Sequence, residues 1–374
     1  MIDALASAKD RRPAQASEKQ GRARRHYRFV PLLIAALAMA FGLWSGLLRL
    51  GFALPGASLT AADLHGAFMI SGFLGTVISL ERAVALGRGW GYAAPALSAI
   101  GAVALMFGTP YAAGLAFILA GAVLFLATAS LAVRRFDLSI FALALAVACW
   151  IIGILLWLQG HPMPSVAGWW LNFLVLTIAA ERLELSRIVR VAQSAQILFL
   201  LAAAMPLIGA ARSELSGLNA PFTAVGLLGL AVWLLRHDVA RRILGQAGQP
   251  RFLACSVIAG QVWLAAAGLL LLFASPAGGG FIYDAVVHAL AIGFVFSMIF
   301  GHATIILPAV TGLRIGFHRS AYGALALLHL SVLARVAANL LERPDLRAAT
   351  GILTIAALLA YALTIVAGSQ RRLT

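Results

Sequence analysis

Apolar runs of about 17 to 25 residues recur from Phe29 almost to the C-terminus, each long enough to cross the hydrocarbon core of a bilayer as a helix. Twelve such segments fit, near 29–49, 62–85, 91–109, 111–133, 138–159, 165–186, 194–211, 217–235, 252–274, 280–309, 318–341 and 346–368. None shows the alternating ten-residue pattern of an outer-membrane strand, so the pattern predicts an all-α polytopic membrane bundle. Residues 29–374 then form one twelve-helix transmembrane domain, and residues 1–28, polar, basic and without periodicity, read as a disordered tail. Ala36, Ala38 and Ala40 resemble a signal-peptidase site, but the apolar run continues to Leu50, as in an uncleaved anchor.

Composition agrees with this reading. The 374 residues are 62% hydrophobic and 11% charged with a mean hydropathy of +0.95, far outside the range of soluble domains. A net charge of +15 would suggest nucleic acid in a soluble protein, but the positions of the charges give another cause. Eight Lys and Arg residues between Lys9 and Arg28 precede the first segment. Others follow the even-numbered segments: Arg82 and Arg88, Arg134 and Arg135, Arg182, Arg187 and Arg190, Arg236, Arg241, Arg242 and Arg251, Arg314 and Arg319, Arg371 and Arg372. Arg49, Arg212, Arg343 and Arg347 fall near the opposite face. The positive-inside rule therefore puts both termini in the cytoplasm of a bacterial-type inner membrane, with lipid as partner and no nucleic acid. Cys149 and Cys255 are isolated, so covalent c-type haem, zinc clusters and a disulfide framework lack support.

A faint repeat relates segments two, six and ten, suggesting three four-helix units. Gly72 to Arg82 resembles Asn172 to Arg182, both closing in Glu-Arg, and the stretch from His288 to Phe294 echoes that from His65 to Phe73. Segment two is expected to begin near Thr60 with Asp63 as a cap. His65 then lies roughly 24 Å above Glu81, and His288 roughly 21 Å above His302, at the helical rise. If Glu81 and His302 are level, the two upper histidines share a depth in the outer half of the membrane, where they could be axial ligands on opposite faces of one haem. The plainer reading of each histidine is a packing residue bonded to a carbonyl or hydroxyl.

Arg335 lies near the outer end of segment eleven. It is a candidate for holding haem propionates or, alternatively, an arginine snorkelling to the interface. His329, near mid-membrane, is a weaker candidate as a metal ligand and equally reads as a hydrogen-bonded packing histidine. Glu81, Arg82, Glu181, Arg182 and His302, at the cytoplasmic level, form either a proton path or a structural network of ion pairs.

Segments His65-Gly-Ala-Phe-Met-Ile-Ser-Gly-Phe73 and His288-Ala-Leu-Ala-Ile-Gly-Phe294 resemble those of the NnrS family of haem- and copper-containing membrane proteins, and distantly subunit I of the haem-copper oxidases. That resemblance implies a b-type haem on His65 and His288, a role in nitric oxide response or metabolism by binding, detoxification or electron transfer, an unidentified electron donor, and copper. It stops short of a dioxygen reductase, because oxidases take copper ligands from helices six and seven and neither segment carries a histidine here. The competing expectation is a proton-coupled secondary transporter without cofactor, using His65, His288, His302 and Glu81 as a relay.

Overall fold

The computed structural model describes residues 28–55, 59–134, 137–187, 191–213, 220–274, 276 and 280–370. Apart from Arg28, the basic tail lies outside them. Twelve apolar helices follow in order: α1 Arg28–Arg49, α2 Ala67–Leu86, α3 Gly89–Met106, α4 Pro110–Arg134, α5 Leu138–Leu158, α6 Met163–Ser186, α7 Gln193–Ala211, α8 Pro221–His237, α9 Gln249–Phe273, α10 Phe281–Thr311, α11 Ala321–Leu340 and α12 Pro344–Gln370. Eleven are long and apolar enough to span a membrane, and α8, with 17 residues, is the short one. There is no strand among the described residues. The protein is an all-α polytopic helical bundle, with each helix within a few residues of the span its hydropathy marks.

Consecutive helices pack as antiparallel neighbours through α3–α4–α5–α6, α7–α8–α9 and α11–α12, while α10 runs at the centre against α2, α6, α9 and α11. Lipid tails are as apolar as leucine, so close approach and complementary packing hold such helices together. Gly101 meets the Phe117 ring, Gly121 meets Ile151, and Gly153 meets Trp170, each where an added Cβ would lie within 2.7 Å of the neighbour. Trp150, Trp170 and Phe173 fill the space between α5 and α6, with Trp150 and Phe173 rings stacked 5.1 Å apart. Aliphatic side chains of the outer faces, such as Leu119, Leu126, Val133 and Leu363, stay exposed toward the lipid.

Two local features depart from the periodicity. The chain before α2 forms a separate five-residue helix, Leu59–Asp63, followed by a turn at Leu64. Asp63 therefore ends a short helix instead of capping a long one. Second, both α2 and α10 contain long π-helical stretches, Ala67–Gly75 and Ala289–Phe296, in which backbone bonds run from i to i−5. Both stretches end in a Gly-Phe-x-x run that a hydroxyl residue closes at the next position, Gly72 to Thr76 and Gly293 to Ser297. The hydroxyl of Thr76 donates to Gly72 O at 2.7 Å and that of Ser297 to Gly293 O at 2.5 Å, satisfying carbonyls of the widened turns. A tryptophan packs over a glycine of each stretch, Trp150 on Gly75 and Trp263 on Gly293.

Candidate functional site

The widened stretches begin one or two residues after the two histidines, whose rings lie side by side. His65, two residues before α2, and His288 of α10 have ring centroids 6.4 Å apart with planes inclined by only 14°. Each ring is fixed through Nδ1: that of His65 bonds Gly42 O of α1 at 2.7 Å, and that of His288 bonds Asp284 O one turn earlier at 2.8 Å. A carbonyl only accepts, so both rings carry their proton on Nδ1 and keep the Nε2 lone pair. The two imidazoles share a cavity of 270 Å³ between α1, α2, α10, α11 and α12, lined by apolar side chains such as Leu47, Met69, Ile70 and Ile292. Glycines make room for them. The His65 ring lies over Gly46, where a Cβ would approach Cε1 and Nδ1 to 3.0 Å, and Gly42 one turn earlier admits Met69 of α2.

Behind His288 stands a largely enclosed carboxylate, its side chain 18% exposed, that the sequence reading passed over. Asp284 accepts two parallel bonds from Arg335 of α11, Nε to Oδ2 and NH2 to Oδ1, each 2.9 Å, and a third from Asn339 Nδ2 at 2.7 Å. Its Oδ1 also lies 3.4 Å from His288 Nδ1. Arg335 and Asn339 are 7% and 0% exposed, so the arginine is neutralised inside the protein and does not snorkel. Arg49 and Arg347, two of the arginines that break the charge asymmetry of the loops, line the same cavity with Tyr283. The Arg347 guanidinium also lies over the Phe281 ring, 5.0 Å from its centre.

The residues around Glu81 and His302 are also brought together. Arg82 bridges Glu81, at 3.1 Å, and Glu181. Arg182 donates to His302 Nε2 at 3.0 Å, while His302 Nδ1 bonds Met298 O at 2.8 Å, so both nitrogens of that ring are occupied. Asp238, just past α8, belongs to the same polar region as an electrostatic neighbour of Arg182 and accepts from Gln261 of α9 at 2.8 Å. Burial pushes its carboxyl above the ordinary carboxylate range, against the pull of Arg182. His329 stands apart, accepting from Trp263 Nε1 at its Nδ1 at 2.9 Å, and it does not line the two-histidine cavity. Among the described residues, no group of three or more His, Cys, Asp or Glu side chains is placed to hold a metal ion.

Fold and site together define a polytopic helical membrane protein with a two-histidine cavity. The chain belongs to a family described as a domain of unknown function (DUF8744), whose model matches residues 28–370. Neither the curated proteins nor the solved structures contain a match to it.

Proposed function

We propose that the protein is a b-type haem protein of a bacterial-type inner membrane, similar to the NnrS family, with His65 and His288 as the two axial ligands. The observation that carries this reading is the spacing of the two parallel rings. With a metal–imidazole bond of about 2 Å on each side and each nitrogen about 1.1 Å from its ring centre, imidazoles sharing one metal have centroids about 6 Å apart. The rings stand at 6.4 Å, each with Nδ1 anchored and Nε2 unbonded among the described residues. The residues fit the group in three further respects: imidazole suits iron, the walls are apolar, and Arg49 and Arg347 supply positive charge where haem carboxylates need it. Arg335, taken up by Asp284, acts through that carboxylate.

A haem held this way supplies a one-electron couple. The protein's part is to fix both imidazole tautomers, exclude water with leucine and isoleucine walls, and neutralise carboxylates at the cavity edge. Nitric oxide metabolism enters through the NnrS resemblance, with electron transfer or ligand binding as the chemistry. The test is an absorption spectrum of protein purified after expression with ample haem. A low-spin Soret and α-band pattern, one pyridine haemochrome per chain, and loss of both in a His65→Ala/His288→Ala double variant are expected. A colourless wild-type protein that drives proton-coupled uptake in proteoliposomes would replace this reading with a transporter.

A further inference from the structure

Two axial histidines would fill both faces of a haem iron, so an external ligand would reach it only if one left, and the two histidines are not held alike. His288 sits within α10. Its Nδ1 bonds Asp284 O at 2.8 Å and lies 3.4 Å from Asp284 Oδ1, and that carboxylate is clamped by Arg335 and Asn339 of α11 through three bonds of 2.7 to 2.9 Å. An anionic group beside Nδ1–H fixes the ring and raises the basicity of Nε2, which strengthens its hold on a metal. His65 has a single carbonyl, Gly42 O, behind Nδ1. It follows a turn at Leu64 that separates it from the short helix Leu59–Asp63, and its ring rests on the bare backbone of Gly46.

We propose that, in the haem-bound protein, His288 is the permanent axial ligand and His65 the displaceable one, so that a neutral diatomic ligand binds on the His65 side of the iron. This rests on the haem reading above. In the exchange the bond from iron to His65 Nε2 breaks, its electron pair returning to nitrogen, and a bond from the lone pair of the incoming diatomic forms; no electron or proton is transferred. His65 thus acts as a gate over a reactive position, and the Asp284–Arg335–Asn339 clamp decides which of the two histidines opens.

Carbon monoxide is the probe, mixed with the dithionite-reduced full chain in detergent and followed at the Soret band. The wild type is expected to bind it with a rate that levels off as carbon monoxide rises, because departure of His65 limits the exchange. His65→Ala keeps its haem and binds with a rate proportional to carbon monoxide, while His288→Ala retains little haem. Gly46→Ala, whose methyl crowds the Cε1–Nδ1 edge of His65, raises the limiting rate several-fold. The opposite pattern, haem kept by His288→Ala and lost from His65→Ala, overturns the proposal. So does a haem-loaded wild type that takes up no carbon monoxide, or a limiting rate that Gly46→Ala leaves unchanged. Those outcomes leave the haem reading standing, whereas a wild type that binds no haem overturns both.

Discussion

The His65–His288 and His302 clusters share helices α2 and α10, yet one leaves nitrogen lone pairs unused and the other spends them. Around His65 and His288, hydrogen bonds from the described residues take up only Nδ1, and both rings line one cavity. Around His302 the ring is bonded at both nitrogens, to Met298 O and to Arg182, and Glu81 and Glu181 close on Arg82. A buried histidine bonded on both sides is a packing element, and one bonded on a single side beside a cavity is a candidate ligand. Burial alone does not separate the two cases; the fate of Nε2 does.

That contrast breaks most severely at Asp284. Asp284→Ala leaves the Arg335 guanidinium buried without an acceptor, and removing one partner of such a pair costs about 3–5 kcal/mol. Thermal unfolding followed by circular dichroism in detergent checks the loss, and the variant is expected to lose haem as well, because the His288 helix turn loses its clamp. A cost below 1 kcal/mol would mean that Arg335 finds another anion, and the clamp would then hold nothing in place.

His302→Phe tests the other side of the comparison. It strips Arg182 of an acceptor in a region where that arginine is 7% exposed, and an unsatisfied buried donor costs about 1–3 kcal/mol. Haem per chain and the positions of the absorption bands should stay as in the wild type. Haem loss in this variant would show that the two clusters are one coupled unit, and the separation drawn between them would fail.

The spans were legible because transmembrane hydropathy is a strong, local signal, and the histidine pair because both residues begin similar runs. What stayed hidden was set by tertiary packing. Asp284 and His288 are four apart, as are Arg335 and Asn339, so each pair faces one side of its helix, but only the packing of α10 on α11 brings the four together. Without that contact, Arg335 reads as a partner for a ligand's carboxylate and Asp284 as an ordinary residue of a helix's first turn. The π-helical stretches were equally invisible as such. Their common Gly-Phe-x-x-Ser/Thr run is present in both segments, but helical periodicity does not distinguish i−4 from i−5 pairing in an all-apolar stretch.

Asp63, which the sequence marked only as a helix cap, lies two positions before His65 and supplies the mildest test. Its side chain is 77% exposed and lies 3.7 Å from Arg49, itself 42% exposed. Ion pairs in that setting contribute at most a few tenths of a kcal/mol after solvent screening, so Asp63→Asn should leave the unfolding midpoint and the haem spectrum within error of the wild type. Asp284→Asn changes the same atoms beside the other histidine and should move both, because there the charge is enclosed and three donors converge on it. Equal effects from the two substitutions would mean that the histidines are equivalent. A large Asp63 effect would place the controlling carboxylate on the His65 side, reversing the asymmetry between them.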